Sequence, residues 1–337
     1  MAQTTASAQP RRSVFPAALF GALIALVVVA LLSIAIGSNP LSLDAVLHGL
    51  FSYDGRYDDV VVRDSRLPRT VLGVLVGLAL GLAGALMQGV TRNPVADPGL
   101  LGVNYGAAVA IVLASTTFGI QAPAALVWFA FAGAVFATAL VYALGGTVSP
   151  VRLVLAGVAV QATFVGINQA AQVIDTHTLD RMRFWLVGTL ANRDMDVLAP
   201  LLPFLVAGLI LALASARGLN AIALGADVAH GLGASPARTR TVAMLAVGLL
   251  CGSATAAVGP IAFVGLMIPH LVRLMVGQDH RQVLPLSMLL GPVLVLGCDV
   301  LGRLLGAPGE LQVGIMTDVF GGLMFLVLVR RLWGAGR

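Results

Sequence analysis

The chain has 337 residues, of which 58% are hydrophobic and only 10% are charged, whereas about 25% of the residues in a soluble domain are charged. Water is therefore excluded as the main solvent, and the length allows about eight to ten membrane-spanning helices at roughly 20 apolar residues each. The net charge of +5 comes from arginines scattered between apolar runs, so the chain lacks the basic patch of a nucleic-acid-binding protein.

The first predicted element is an apolar run from Phe15 to Gly37, which follows a polar segment ending in Arg11 and Arg12. This run is longer than the apolar core of a signal peptide, so it predicts a first helix that the mature protein retains. The arginine pair is interpreted as a topology anchor, with a twin-arginine export signal as the alternative. Residues 1–14 are therefore predicted to be a cytoplasmic tail.

Further apolar segments follow at residues 70–89, 98–116, 123–146, 151–174, 197–216, 239–258, 261–275, 283–304 and 314–333. Together with the first run they predict an all-α polytopic membrane protein with about ten transmembrane helices in a single domain, residues 15–333. The segments that begin at residues 98 and 261 are short, and Pro98, Pro260 and Pro269 predict broken or abruptly started helices. Because a bilayer tolerates interrupted helices only beside protein or a polar cavity, these segments indicate a transport pathway.

The placement of arginine predicts the orientation of the chain. If the N-terminus is cytoplasmic, the loops on that side hold most of the arginines, against only Asp97, Asp227 and Asp279. An excess of arginine on the cytoplasmic side is the usual topology signal of inner-membrane proteins. It predicts an even number of spans in the bacterial inner membrane, with both termini in the cytoplasm.

The chain contains no lysine, and this excludes the nucleotide-binding loop GxxxxGK[ST], whose lysine contacts the phosphates. Any ATP hydrolysis therefore has to come from another chain. No converging set of acid, base, nucleophile or metal ligands is visible in the sequence, so we predict no catalytic residue and no metal site. Cys251 and Cys298 lie in apolar segments and are interpreted as packing residues, as is His270.

Two predicted helices carry a distinctive face. Small residues in the second helix recur about every fourth position and predict the close approach of another helix: Gly73, Gly77, Gly81 and Gly84. In the fifth helix, Gln161, Asn168 and Gln172 fall seven and four residues apart, which places three amides on one face. Amides in this position either form hydrogen bonds between helices or line a pathway, and the sequence leaves both open.

Five stretches carry a resemblance to a known family: RLPR at residues 66–69, QGVTRNPVADPGLLG at 88–102, WLVGTL at 185–190, FVGLMIPH at 263–270 and PGELQVG at 308–314. In this order they resemble the FecCD family, the permeases of bacterial ABC importers for iron-siderophores, haem and cobalamin. The resemblance extends from about residue 60 to residue 331. The segments before residue 60 match only in general character.

The resemblance implies a ten-helix subunit with type II importer architecture, which forms a homodimer or heterodimer in membrane lipid. Two cytoplasmic ATPase subunits, which bind ATP and magnesium, and a periplasmic or lipid-anchored solute-binding protein complete the implied complex; no cofactor is implied in this chain. The ATPases are implied to dock on the cytoplasmic coupling loop, residues 217–238, with a re-entrant segment or plain surface helix as the alternative. The matching positions are Asn220, Leu224, Gly225, Asp227, His230, Gly231 and Gly233.

On the opposite side, the arginines by which the family docks its binding protein match Arg66, Arg69 and Arg303. Arginine suits this task because its planar fork pairs with a carboxylate through two hydrogen bonds and keeps its charge. The alternative is that these arginines anchor the chain at the membrane interface or pair with Asp64 and Asp299.

The family pathway runs along the dimer axis and is lined largely by the fifth and tenth helices. The resemblance therefore implies that Gln161, Asn168 and Gln172 face the pathway together with Asp318. A carboxylate at that depth usually has a partner or a function. A cap or a pair near the membrane face is the alternative for Asp318.

These features predict an importer permease that moves a ferric siderophore by alternating access, driven by partner ATPases. Haem and cobalamin are the alternative substrates within the family. Outside the family, the alternative is a proton- or sodium-coupled transporter in which Asp299 and Asp318 carry the coupling ion.

Overall fold

The apolar runs of the sequence are helical in the computed structural model of the protein, which describes residues 14–37, 41–146, 150–174, 182–183, 185–193 and 195–334. Most of the predicted N-terminal tail, residues 1–13, lies outside the described residues. In chain order the helices are α1 (Val14–Ala35), α2 (Leu43–Phe51), α3 (Tyr57–Thr91), α4 (Val103–Thr117), α5 (Pro123–Gly145), α6 (Pro150–Ile174), α7 (Met195–Ala214), α8 (Ala216–Ala223), α9 (Ala226–Gly231), α10 (Pro236–Val258), α11 (Val264–Val276), α12 (His280–Leu305) and α13 (Val313–Gly334).

Each of the ten predicted apolar segments corresponds to one helix. Among the described residues, seven helices are long and apolar enough to cross a membrane, and shorter apolar helices form at Val103–Thr117, Val264–Val276 and Val313–Val327. The prediction of an all-α membrane protein with about ten helices is therefore confirmed. The short helix α2 lies at one end of the bundle, here called the α2 end. Helices α8 and α9 lie at the other, the α8–α9 end.

Helix α3 runs through the centre of the bundle and packs against α10, α11 and α12. Its glycine stripe faces other backbones directly: a Cβ atom on Gly77 would overlap the backbone of Pro292, and one on Gly84 would overlap that of Gly265. Helices approach this closely only where small residues leave room. The expectation that the stripe serves close helix packing is confirmed.

The chain folds back into the bundle after α3, which corrects two expectations from the sequence. A 3₁₀ turn, Pro98–Leu101, precedes α4, so the third membrane helix begins at Val103 instead of at the proline. Asp97 caps this turn by accepting a backbone N–H at 2.7 Å. Together with Leu80 and Cys251 it lines a small cavity between helices. Asp97 therefore lies inside the bundle, whereas the charge pattern had placed it in a cytoplasmic loop.

Helix α11 starts abruptly, as the prolines of this region predicted. Phe263, just before the helix, has a φ of 65°, and Pro269 lies inside the helix. With 13 residues in α11 and 15 in α4, two helices are shorter than a full span. The starts of both helices lie against protein, because Gly102 approaches α6 and Phe263 approaches Gly321 of α13. Non-helical backbone at membrane depth is tolerated in such an environment.

Candidate functional sites at the two ends of the bundle

At the α2 end, Asp299 of α12 is held between two arginines. Its side chain has no exposed surface, and Nη2 of Arg69 lies 2.7 Å from Oδ1. Nη2 of Arg303 lies 2.9 Å from Oδ2. Arg69 also donates from Nη1 to Glu310 at 2.7 Å. This ion network joins α3, α12 and the connection to α13, and its pairing offsets the high cost of burying charge.

Two arginines connect the end of α1 to this network. Arg66 donates from Nη1 to the carbonyl oxygens of Ile34 at 2.8 Å and Ala35 at 2.7 Å. Arg303 donates from Nη1 to the carbonyl oxygen of Ser33 at 2.9 Å. The last carbonyls of a helix lack partners within the helix, and the negative end of the helix dipole favours cations there. The two arginines thereby fix α1 against α3 and α12.

The three arginines predicted for docking come together at this end. Arg66, Arg69 and Arg303 line one cavity of about 380 Å³, and a second cavity of about 570 Å³ shares Arg69 and Glu310. The pairing of Arg69 and Arg303 with Asp299 is the alternative that the sequence left open. Docking through these arginines stays a prediction, and it requires a partner that reaches them through a cavity.

A second polar cluster at the α2 end holds α2 against the start of α3. Asp59 Oδ1 lies 3.0 Å from His48 Nδ1, and Oδ2 accepts the backbone N–H groups of Asp54 and Arg56. Ligand atoms of His48, Asp54 and Asp59 lie within 4.8 Å of one another, as metal ligands can. Because Asp59 is buried and caps the first turn of α3, the fold itself explains this cluster.

At the opposite end, the loop between α7 and α10 forms the short helices α8 and α9. The glycine between them, Gly225, has a φ of 109°, and Gly233 after α9 has a φ of 75°, values that glycine adopts without strain. Leu224, Val228 and Leu232 project from this loop with 64%, 50% and 65% of their surface exposed. We call these three side chains, which lie four residues apart, the loop ridge.

The sequence identified only part of this surface. Leu224 was among the predicted coupling residues, and Asp227, His230 and Gly231 are exposed beside it. Val228 and Leu232 were missed, because their exposure depends on how α9 packs and not on residue type. Large apolar side chains exposed together on a helix pair indicate a surface that a partner covers.

Asn220, also predicted for coupling, is half-buried and forms its contacts within the chain. Its Oδ1 accepts the backbone N–H of His280 at 2.9 Å and lies 2.8 Å from His280 Nδ1. Its Nδ2 donates to Asp279 Oδ1 at 2.6 Å. Burial alone would raise the pKa of Asp279, but hydrogen bonds from the Arg281 N–H and from Asn220 lower this pKa below its usual value. Asn220 thereby fixes α8 to the first turn of α12.

The predicted pathway residue Asn168 lies in the wall between helices. Only 2% of its surface is exposed, and its Nδ2 donates to the carbonyl oxygens of Phe164 at 2.9 Å and Tyr105 at 3.3 Å. The structure thus favours the alternative that the sequence left open for Asn168, a hydrogen bond between α6 and α4.

The other predicted pathway residues are more accessible. Gln161 and Gln172 are half-buried on α6, and Asp318 is exposed on α13. Thr163 and Gln169 are also exposed on α6, and the sequence reasoning missed both. The hydrophobicity of α6 shows almost no one-sided pattern, so the sequence carried no signal for its exposed face. Lining of a pathway by these residues stays a prediction.

The sequence matches the model of the FecCD transport family over residues 23–331. The chain belongs to this family. The ferric enterobactin transport system permease protein FepD of Escherichia coli (strain K12) is 46% identical over 316 residues, which cover 92% of this chain and 94% of that protein. The Fe(3+)-citrate import system permease protein YfmD of Bacillus subtilis (strain 168) is 38% identical over 302 residues, 89% of this chain and 90% of that protein.

One solved structure agrees with this membership, and a second shares the fold. A chain from an inward-facing metal-chelate type ABC transporter has a TM-score of 0.84 at 30% identity, and the match covers 94% of this FecCD chain and 99% of that chain. PsaBC from Streptococcus pneumoniae, at 17% identity and a TM-score of 0.55, shares the fold alone. This FecCD protein is therefore a multi-pass ABC permease subunit with type II architecture, and not itself an enzyme.

Proposed function

We propose that this FecCD permease is the membrane subunit of an importer that carries a ferric siderophore across the inner membrane. The proposal is supported by the names of its relatives, which transport ferric enterobactin, ferric citrate and iron hydroxamates. The chain supplies the pathway and no cofactor, while ATP and magnesium bind to separate ATPase subunits. Haem and cobalamin are the competing substrates.

The observation that carries the ATPase-driven part of this proposal is the loop ridge of Leu224, Val228 and Leu232. Half or more of each side chain is exposed, and burial of such side chains by a partner contributes roughly 25 cal/mol for each Å² removed from water. The ridge belongs to the segment that Asn220 fixes to α12. A push on the ridge is therefore transmitted to a helix that extends to the α2 end. This is the contact that an ATPase needs in order to drive alternating access.

An ATPase on the loop ridge sets the orientation of the whole chain. The C-terminus of α1 meets Arg66 at the α2 end, so its N-terminus points to the α8–α9 end. Helix α13 starts beside the network at Glu310 and runs in the same direction as α3. Both termini are then cytoplasmic, and the α2 end faces the binding protein on the outer side.

The binding protein is proposed to dock at the α2 end, over the two cavities that share Arg69 and Glu310. Glu310 is 31% exposed and Arg69 13% exposed. A partner carboxylate that reaches Arg69 would compete with Glu310 for the guanidinium. Docking can therefore break the contact between Arg69 and Glu310 while Asp299 keeps its buried contacts.

A second permease subunit is proposed to complete the pathway, with the exposed faces of α6 and α13 towards it. The exposed carboxylate of Asp318 lies on α13 among apolar neighbours such as Val319 and Leu323, which are 53% and 59% exposed. A charge in such a place faces a polar cavity more readily than lipid.

Measurement of uptake by cells tests which substrate the permease carries. The permease is expressed with its ATPase and binding protein in a strain that lacks its own siderophore permeases, and uptake of radiolabelled iron as ferric siderophore is measured beside haem and cobalamin. Uptake of the siderophore alone supports the proposal. Uptake of haem or cobalamin without siderophore uptake would assign the chain to one of the competing substrates.

The contact with the ATPase is tested by Leu224→Asp combined with Leu232→Asp. Charges on the ridge should abolish copurification of the ATPase and stop uptake, because an apolar contact cannot bury two carboxylates. Leu47→Asp is the matched control, since Leu47 is 46% exposed on α2 at the opposite end. Retention of the ATPase by the double variant would contradict the assignment.

A further inference from the structure

A cavity of about 350 Å³ opens at the α8–α9 end, between α3, α8, α11 and α12. It is separate from the loop ridge. Its positively charged lining residues are Arg92, which follows α3, and Arg273 of α11. His270 and His280 also line it. Among the described residues that line this cavity none is acidic. Two permanent positive charges therefore share one concave site without a counter-ion in its walls.

Arg273 is held in position for this site. Gln88 of α3 donates from Nε2 to the carbonyl oxygens of Gly265 and Leu266 at 3.3 and 3.2 Å, which turns its own carbonyl oxygen towards Arg273. Nη1 of Arg273 donates to that oxygen. A guanidinium has five N–H donors in a rigid fork, so most of its donors stay available to a ligand.

Neither cation is neutralised from within the described part of the chain. The ion pairs found there involve other arginines. Along the chain the acid nearest to Arg273 is Asp279, which accepts hydrogen bonds from Asn220 and from the Arg281 N–H. The acid nearest to Arg92 is Asp97, which lines a different cavity between helices. An anion that enters the cavity would thus pair with Arg92 and Arg273 without displacing a carboxylate.

One flank of the cavity is apolar and exposed. Leu274, which lines the cavity, is 60% exposed, and its neighbours on α11, Leu271 and Met275, are 38% and 41% exposed. A basic pocket that borders an apolar helix surface near the membrane boundary matches an anionic headgroup with its acyl chains. A free anion would use the charges and leave the apolar flank uncovered.

We propose that this cavity binds a phosphate group, presented by the headgroup of an anionic phospholipid from the leaflet at the α8–α9 end. The site lies under α8, whose Ala223 contributes to its wall. A bound lipid therefore braces the segment that fixes the loop ridge to α12. This inference goes beyond substrate transport and holds for any cargo.

The test uses the full-length chain purified in neutral detergent. Phosphatidylglycerol, phosphatidylcholine or sodium phosphate is added at constant ionic strength, and binding is followed by native mass spectrometry and by the shift in melting temperature. Phosphatidylglycerol should bind and stabilise, while phosphatidylcholine should not. Because one basic residue contributes about 1 kcal/mol to binding of an anionic lipid, Arg92→Gln and Arg273→Gln should each weaken binding roughly fivefold.

Arg281→Gln is the matched control, because Arg281 is exposed at the same end and outside the cavity. Arg273→Lys keeps the charge and should retain most of the binding. Arg92→Gln alters a side chain that is exposed. If sodium phosphate raises the melting temperature, and Arg92→Gln and Arg273→Gln each reduce this shift, the site binds free phosphate and not a lipid headgroup. If both cavity variants bind phosphatidylglycerol as well as Arg281→Gln does, the site is refuted.

Discussion

Replacing Asp299 by alanine tests the ion network at the α2 end. The carboxylate is fully buried and contacts Arg69 at 2.7 Å and Arg303 at 2.9 Å. Its removal leaves the buried Arg303 without its carboxylate partner and leaves the partly buried Arg69 with Glu310 alone, and breaking a buried pair in this way typically costs about 3–5 kcal/mol. Glu310→Gln is the matched control: it removes the charge of the second carboxylate that Arg69 contacts at 2.7 Å, but this pair is partly exposed, and such pairs contribute about 0–1 kcal/mol.

The free energy of unfolding can be measured by titrating the purified subunit with sodium dodecyl sulfate in mixed micelles. The double variant Asp299→Ala/Arg69→Met also removes one of the two cations that Asp299 contacts. Its loss of unfolding free energy should therefore be about 1–3 kcal/mol smaller than the sum of the losses in the two single variants. Equal losses for Asp299→Ala and Glu310→Gln, or strict additivity in the double variant, would refute the reasoning. Burial of Asp299 would then add no more to stability than the partly exposed pair does, or Asp299 and Arg69 would not be energetically coupled.

Three further predictions concern the interior, the coupling segment and the pathway. Gly84→Ala should lower the melting temperature and the yield of folded protein, because its Cβ would overlap the backbone of Gly265, whereas Gly297→Ala, with open space around the Cβ, should not. Asn220→Leu should reduce ATP-driven uptake while the ATPase still copurifies, since the variant releases α8 from α12 but keeps the loop ridge; loss of copurification would contradict this. Asp318→Asn should lower siderophore uptake, and uptake by the parent protein should survive an uncoupler; collapse of parental uptake with the uncoupler would favour an ion-coupled transporter instead.

The fold class followed from the sequence because the bilayer restricts the possibilities. A chain with 10% charged residues has to satisfy its backbone hydrogen bonds within each apolar segment, and in lipid that means helices. The ten segments were found by length and composition, and the glycine stripe of α3 was recognised because helical spacing alone puts those residues on one face. The resemblance between residues 60 and 331 added the family, which the family match then showed.

The tertiary structure alone decided which polar residues meet. Arg69 and Asp299 are 230 positions apart, so the sequence offered their pairing only as an alternative, and the fold alone brings the two side chains together. Asp97 has the sequence context of a loop acid, yet the chain returns into the bundle after α3 and places it between helices. Asn220 belongs to a predicted surface loop, and only the fold shows that it contacts the start of α12.

One physical reason explains why helices could be predicted from the sequence and contacts between side chains could not. Membrane helices are specified by local hydrophobicity, which can be calculated from the residues of each segment alone. Pairing between side chains depends on which helices become neighbours and at what depth, and in lipid that is settled by close packing at positions such as Gly77 and Gly84. The sequence by itself therefore determined the ten apolar helices and the family, while the short helices α2, α8 and α9 and the contacts of Arg69, Asn220 and Asn168 came only from the assembled fold.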